Sequence, residues 1–235
     1  MSRLRRTVKD AVYGVAVGDA LGVPVEFRAR DTYRIDGMTG GGTHDKPAGT
    51  FSDDTSMTLA TANSIRICGG IDLDDMRERY RAWLFDGAYV PDGDVFDVGN
   101  TTAVALRSGK GQDGERDNGN GSLMRIVPLA FVEDVTDEQI EAVSAITHSH
   151  EIAKRACVIY VRFAQALLDG ASIAEAISAL GDLAAAAPFD RVARIADLAR
   201  DDIGSTGYVV DTLEAALWCL ATTGSFESAV LAAVN

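Results

Sequence analysis

Helical spacing of apolar residues constrains the fold most, because no segment of this chain convincingly alternates polar and apolar residues over six positions. Between residues 72 and 86, one apolar stripe recurs at i, i+4, i+7 and i+8: Met76, Tyr80, Trp83 and Leu84. The same spacing predicts helices at about 4–21, 54–68, 72–86, 100–108, 122–132, 137–148, 151–169, 173–186, 190–202, 210–222 and 225–234. We therefore expect an all-α fold, as a single compact multi-helix domain over residues 1–235.

The segments between these helices indicate where function lies. Three glycine-dense stretches are predicted to be loops: 36–50, 87–99 and 109–121. Such loops are entropically costly to order, and each one leads into a helix start, so together they favour a ligand-holding face. The alternative is three loops that only contact solvent. The segment 151–169 is apolar over more than half of its circumference and predicts a central, mostly buried helix.

Charge and cysteine content exclude several classes of partner. The formal net charge is −13, whereas binding to nucleic acid or an anionic membrane surface normally needs a basic face. Cys68, Cys157 and Cys219 are far apart and odd in number, which argues against a disulfide framework or a zinc site. Asp19 interrupts the apolar stretch 11–25, so a signal peptide or a membrane span is not expected there. These features predict a cytoplasmic protein.

The segment 50–55 concentrates oxygen ligands at a predicted helix start. Ser52, Asp53 and Asp54 provide a hydroxyl and two carboxylates, the ligand type that Mg²⁺ prefers. The positive end of the helix dipole tolerates negative charge at this place. The same residues also form a good N-cap, so capping is the alternative explanation for them.

Three further motifs place polar residues beside helix ends. Glu26 follows Pro24, which should stop the first helix, and it is either a general base or a surface carboxylate. The glycine-rich turn 118–121 leads into a predicted helix whose free amides would suit a phosphate. His148 closes the predicted helix 137–148, where a structural role is the alternative to a functional one.

These segments, taken in order, closely resemble the ADP-ribosylglycohydrolase family, which includes the dinitrogenase-reductase-activating glycohydrolases. The matching motifs are Gly-Asp-Ala-Leu-Gly with a following Glu, Ser-Asp-Asp-Thr, Gly-Asn-Thr-Thr, Gly-Asn-Gly-Ser-Leu-Met-Arg and Thr-His. The resemblance runs from about Tyr13 to the last residue. It implies an all-α domain that binds two Mg²⁺ ions and hydrolyses the bond between ADP-ribose and a protein side chain or small acceptor.

The resemblance also implies a role for individual residues. Glu26 matches a catalytic carboxylate beside the reacting water, and metal ligands are implied at Ser52, Asp53 and Asp54. The implied substrate-binding residues are Asp97, Gly99, Asn100, Gly119, Asn120, Gly121, Ser122 and His148. The chemistry agrees with these residue types, because carboxylates stabilise an oxocarbenium-like state while one of them deprotonates water.

One motif of the family is not found. Members normally carry Gly-Asp-x-Asp-Thr, a second set of metal ligands, after a helix like 225–234, and the sequence reaches Asn235 before it. We therefore expect weak metal binding and an apolar C-terminal face that a partner chain would cover. Two other functions remain open here: a non-catalytic ADP-ribose-binding or structural protein on the same scaffold, and a metal-dependent phosphohydrolase.

Overall fold

A computed structural model describes residues 7–235, and its long elements are all helices. The α-helices are α1 (Val8–Gly22), α2 (Asp53–Cys68), α3 (Leu73–Asp86), α4 (Asn100–Ser108), α5 (Asp137–Ser144), α6 (Glu151–Leu168), α7 (Ile173–Ala179), α8 (Val209–Thr222) and α9 (Phe226–Val234). Extended pairing within residues 7–235 is limited to isolated bridges. The predicted all-α fold class is therefore confirmed. The first predicted helix began at residue 4, and residues 4–6 lie outside the described ones.

Helix α6 forms the centre of the fold, as its apolar circumference predicted. Its buried residues include Ala156, Cys157, Ile159 and Phe163, none more than 1% exposed. It packs against α5, α7 and α8, and against a 3₁₀ helix at Val127–Phe131. Burial of apolar surface on several sides stabilises a helix far more than its intrinsic propensity does.

Helices α1 and α2 pack against each other and carry the acidic motifs. Several hydroxyl side chains are buried in α2, and those of Ser56, Thr58 and Thr61 donate to backbone carbonyls four residues earlier. This back-bonding satisfies polar groups that burial would otherwise leave without partners. A short helix at Val23–Val25 then continues α1 up to Glu26.

Four predicted helices differ from the structure in form or length. The predicted helix 137–148 ends at Ser144. The region 122–132 contains turns and the 3₁₀ helix Val127–Phe131, with Pro128 at its start, where the missing N–H is tolerated. Helix α7 ends at Ala179 rather than at residue 186, and Gly181 follows with a φ of +45°. The region 190–202 forms two 3₁₀ helices, Val192–Asp197 and Arg200–Asp202. Apolar residues there recur every three positions, which fits three residues per turn.

The three glycine-dense stretches are loops, as predicted, and each is tied to another part of the chain. The first two are joined by Lys46, whose ammonium contacts Asp92 at 3.1 Å and Asp94 at 2.8 Å. The third is tied at Gln112 to the backbone of residues 147–149. Across residues 7–235, no helix combines the length and the apolar character that a bilayer crossing requires.

Candidate active site

Asp19 fixes the start of α2 from the neighbouring helix. Its carboxylate accepts hydrogen bonds from the backbone N–H groups and the hydroxyls of Ser52 and Thr55, at 2.6–3.0 Å. The first N–H groups of a helix have no partner within that helix. Asp19 therefore supplies from α1 what an N-cap side chain usually supplies. Ser52 occupies the N-cap position, yet its own side chain makes no capping hydrogen bond.

Asp53 and Asp54 form the first turn of α2, directly after Ser52. Asp53 is only 5% exposed, and an Asp54 oxygen lies 3.5 Å from the Ser52 hydroxyl. Burial is the main cause that raises the pKa of both, and nearby carboxylates add to it. The pKa of Asp54 rises to about 7, with Asp19 the next largest cause. Such shifts mark a place where several negative charges are held together with little compensation.

Glu26 is held at the end of α1 by close backbone packing. The hydroxyl of Thr43 donates to the Glu26 carbonyl at 2.9 Å. Gly42 has a φ of +75°, and a Cβ atom there would lie 2.0 Å from the Pro24 carbonyl oxygen. Only glycine fits such an approach, so the loop 40–46 is pressed onto the residues before Glu26.

The Glu26 side chain meets His44 and Asp97. His44 Nε2 lies 2.7 Å from Glu26 Oε2, and one ligand atom from each of the three residues lies within 4.8 Å of the others. Burial is the largest cause that raises the pKa of Glu26 to about 9, and the hydrogen bond with Asp97 and the like charges of Asp97, Asp54 and Asp19 contribute to the same rise. Asp97 adopts a φ of +55°, an uncommon backbone conformation that places it beside Glu26.

The donor set at the start of α2 fits Mg²⁺. Ser52, Asp53 and Asp54 offer only oxygen atoms, which hard cations prefer. The Ser52 hydroxyl donates its hydrogen to Asp19, so its lone pairs remain available to a cation. Burial is the main cause of the raised pKa values of Asp53 and Asp54, nearby carboxylates add to it, and a bound cation would favour the ionised form of both.

A cavity of about 550 Å³ opens beside these carboxylates. It is bounded by the end of α1, the start of α2, the segment 203–206, α8 and the end of α9. The acidic residues on its wall include Asp19, Glu26, Asp54 and Asp211. Arginine side chains also reach it, at Arg28, Arg30 and Arg200. A cavity with both signs of charge can hold a ligand that combines a cationic part with anionic phosphates.

The turn 118–121 contributes Asn120 to the cavity wall. The Asn120 side-chain amide donates to Thr212 at 3.2 Å, and its backbone N–H donates to the carbonyl of Gly207 at 3.0 Å. That backbone N–H already has a protein partner. The side chain of Asn120, rather than its backbone N–H, is therefore the group that this turn presents to a ligand.

Gly119 and Gly121 allow the turn to lie against His148. A Cβ at Gly121 would lie 2.8 Å from the His148 ring, and one at Gly119 would lie 3.8 Å from it. His148 is 2% exposed. Its Nδ1 lies 2.8 Å from the Thr147 hydroxyl, which itself accepts from Arg125. The Thr147 hydrogen is then free to bond Nδ1, so the neutral ring carries its hydrogen on Nε2.

Of the eight predicted substrate-binding residues, only Asn120 lies on the cavity wall. Ser122 is fully buried, and its hydroxyl accepts from Ser144 at 2.9 Å and from the Cys157 thiol at 3.4 Å. His148 lies beneath the turn, and supports it rather than lining the cavity. Gly99 and Asn100 are exposed at the start of α4, away from the cavity wall. Asp97, in contrast, lies beside Glu26.

Two residues of the site were not predicted from the sequence. Asp19 belongs to a motif that was recognised, and the available signal was a single carboxylate among the small residues of an apolar helix. His44 lies in a glycine-rich loop, where its contact with Glu26 has no local sequence signal.

A comparison of structures defines the class of fold. A solved chain described as an ADP-ribosylglycohydrolase-related protein complex matches this chain with a TM-score of 0.78 at 31% identity. The match covers 95% of this chain and 78% of the solved one. The all-α fold is therefore of the ADP-ribosylglycohydrolase type. The chain belongs to the ADP-ribosylglycohydrolase family, whose model matches residues 1–235.

Curated relatives agree with this family. An ADP-ribosylarginine hydrolase Tri1 from Pseudomonas putida (strain GB-1) is 35% identical over 97% of this chain and 64% of its own length. The ADP-ribosyl-[dinitrogen reductase] glycohydrolase of Rhodospirillum rubrum is 30% identical over 96% of this chain and 77% of its own length. The chain thus spans about two thirds of the length of the Tri1 relative.

Proposed function

We propose that this protein is a Mg²⁺-dependent hydrolase that cleaves the bond between ADP-ribose and an acceptor. The observation that carries the proposal is the convergence of Glu26, Asp19 and Asp54 on one cavity, beside Asn120 of the glycine-rich turn. The family and the names of the relatives support the same chemistry. The free thiols at Cys68, Cys157 and Cys219 support a reducing, cytoplasmic location.

The metal would be held at the start of α2. Ser52, Asp53 and Asp54 are the proposed ligands, and Mg²⁺ would orient the ribose hydroxyls and the reacting water. Asp19 contributes by fixing the backbone and hydroxyl groups of Ser52 and Thr55. A site held by two packed helices keeps its ligands in place without rearrangement.

Glu26 is the proposed general base. Its Oε2 faces His44, and the side chain lies on the cavity wall, 30% exposed. A glutamate with a raised pKa is a stronger base once it is ionised, and a cation bound at Ser52, Asp53 and Asp54 would favour that ionised form. In the proposed reaction, a water oxygen forms a bond to the anomeric carbon of the ribose. The bond to the acceptor nitrogen breaks with its electron pair left on that nitrogen, while the charge of Glu26 stabilises the oxocarbenium-like state. Glu26 takes the water proton, and the released acceptor then receives it.

An arginine guanidinium is the proposed acceptor. Relatives of this chain are named ADP-ribosylarginine hydrolases. The cavity wall around Glu26 carries several carboxylates, and the protein has a net charge of −13, so a cationic acceptor would be attracted to it. An ADP-ribosylated arginine of a protein is therefore the substrate we propose.

Glu26→Gln tests the proposal, with ADP-ribosylated arginine peptide as substrate and with Mg²⁺ or a chelator present. We expect Mg²⁺-dependent release of ADP-ribose by the unaltered protein, and a loss of turnover of about 1,000-fold in Glu26→Gln. Affinity for ADP-ribose, measured by calorimetry, should change little. Glu151→Gln is the matched control, because Glu151 lies on the exposed side of α6 and pairs with Lys154.

Each outcome separates the candidate functions. Near-normal turnover in Glu26→Gln would exclude Glu26 as the base. ADP-ribose binding without release by the unaltered protein would identify a non-catalytic binder instead. Release of phosphate rather than ADP-ribose would identify a phosphohydrolase.

A further inference from the structure

We propose that His44 is the positioning residue of Glu26: its ring nitrogen holds one carboxylate oxygen and leaves the other oxygen to face the cavity. The inference rests on the proposed function, in which Glu26 acts as the base. The direct observation is the distance of 2.7 Å between His44 Nε2 and Glu26 Oε2. As the base, Glu26 must be ionised, and an ionised carboxylate only accepts, so we assign the hydrogen in this bond to Nε2.

The His44 ring is itself held in place by aromatic neighbours. Its centroid lies 5.9 Å from that of Phe27, edge to face, and 5.0 Å from that of Phe96. The side chain is 15% exposed. A ring packed on two sides has few orientations open to it, so Nε2 points at a fixed place.

The loop that carries His44 is also fixed at both ends. The N–H of Gly41 donates to the Lys46 carbonyl at 2.8 Å, which closes the loop 41–46. The Lys46 ammonium contacts Asp92 and Asp94 and lies 4.7 Å from the Phe96 ring centroid. Two loops that are distant in sequence therefore pack against each other around His44. The position of His44 is fixed by these tertiary contacts.

Glu26 needs such a partner because of what else surrounds it. Asp97 lies within 4.8 Å of both Glu26 and His44, and Asp54 and Asp19 are close enough to act on its charge. A flexible glutamate among like charges would turn away into other rotamers. A donor on Oε2 opposes that tendency and keeps Oε1 directed at the reacting water.

The same three residues would also suit a metal ion such as Zn²⁺, and the two arrangements differ in whether Nε2 of His44 carries a hydrogen. A nitrogen that donates a hydrogen bond has no lone pair left to bind a metal. Because Nε2 lies at hydrogen-bond distance from Glu26, we infer a positioning role. The two arrangements make opposite predictions for the hydrogen on Nε2.

Replacement of His44 by glutamine and by phenylalanine tests the proposal. The glutamine amide can donate from nearly the place of Nε2, whereas phenylalanine keeps the ring and removes the donor. We expect His44→Phe to lower kcat by about 10- to 100-fold with KM and ADP-ribose affinity little changed. His44→Gln should recover most of the lost kcat. His150→Phe is the matched control, since His150 caps α6.

A measurement without substrate separates this proposal from the proposed function. The chain has three histidines, so ring-nitrogen NMR spectra with His44→Gln as the assignment control identify His44. We expect a hydrogen on Nε2 of His44 and a shifted Nε2 signal in Glu26→Gln. An Nε2 without hydrogen, or a Nε2 signal unmoved by Glu26→Gln, would overturn the proposal. So would unchanged kcat in His44→Phe, or a loss that His44→Gln does not recover. If the unaltered protein releases no ADP-ribose, the proposed function fails and the spectra still decide the His44–Glu26 bond.

Discussion

Asp19 and Glu26 lie close together at the end of α1, yet their surroundings are opposite. Asp19 accepts from the backbone and hydroxyl groups of Ser52 and Thr55. Glu26 Oε2 lies beside His44 Nε2, and the charged groups that act on Glu26 are the carboxylates of Asp97, Asp54 and Asp19. Burial raises the pKa of both, but the donors of α2 oppose the shift at Asp19, whereas Asp97 adds to it at Glu26.

This contrast separates a carboxylate that holds the fold from one that is available for chemistry. A buried charge with several donors stabilises the elements that supply those donors. A carboxylate with few donors and several like-charged neighbours holds a proton more tightly, which suits proton transfer. The two groups should therefore respond differently to the same kind of substitution.

The largest effects are expected at these two positions. Glu26→Gln should lower turnover by about 1,000-fold while the free energy of unfolding stays near its original value. Asp19→Asn should lower the free energy of unfolding by about 3 kcal/mol, because an NH₂ group would then face the donors of Ser52 and Thr55. Chemical denaturation of both variants measures the free energy of unfolding, and turnover assays on both measure the loss of activity.

Asp31→Asn is the matched control for Asp19→Asn. Asp31 pairs with Arg200 at the surface with 69% of its side chain exposed, so we expect a much smaller loss of stability than in Asp19→Asn. A stable Asp19→Asn protein, or a Glu26→Gln protein that unfolds as easily as Asp19→Asn, would contradict the division of roles.

A smaller effect is expected at His148, a buried group that is satisfied by the Thr147 hydroxyl. Burial and the nearby Arg125 lower its pKa to about 3. Below the ordinary histidine pKa of about 6.5, the unfolded chain binds a proton that the folded one does not. Its contribution to stability is therefore full above that pH and falls toward pH 3, by up to about 1.4 kcal/mol per pH unit.

His148→Asn should flatten this pH dependence, because an asparagine can accept from Thr147 and does not titrate. Denaturation series at several pH values between 7 and 4 compare the slopes of the two proteins. An equal slope in both would show that His148 titrates freely in the folded protein. The exposed-side variant Glu151→Gln should leave the slope nearly as it was.

The smallest effect is expected for Lys46→Met. Lys46 pairs with two exposed carboxylates, Asp92 and Asp94, and such pairs contribute little to stability. We expect the free energy of unfolding to fall by less than about 1 kcal/mol, as measured by chemical denaturation. Turnover should fall by less than in His44→Phe, because His44 keeps its contacts with Phe27 and Phe96. A larger loss of turnover than in His44→Phe would show that the contact of Lys46 between the two loops, rather than His44, positions Glu26.

Sequence patterns predicted the α-helices better than the 3₁₀ segments. Helices α3, α4 and α6 lie within about one residue of their predicted ranges, because strong apolar periodicity and glycine stops fix them. The regions 122–132 and 190–202 were predicted as single helices, but they form 3₁₀ segments and turns. Apolar spacing alone does not distinguish these when the tertiary packing of short segments selects the tighter turn.

The predicted site residues also fall into two groups, those that line the cavity and those that are buried beneath it. Motif recognition found Glu26, Asp54 and Asn120, which the structure brings to one cavity. It also named Ser122 and His148, whose side chains are buried in the support of the turn. A motif records which residues occur together along the chain, and it does not distinguish a side chain that lines a cavity from one beneath it.

The sequence by itself determined the fold class, the long helices and the acidic cluster at the start of α2, because each depends on residues close together along the chain. Only the tertiary structure showed that Asp19 holds that helix start and that His44 faces Glu26. These contacts join residues 33 and 18 positions apart. Their geometry depends on how helices and loops pack, a property that no local pattern of residues carries.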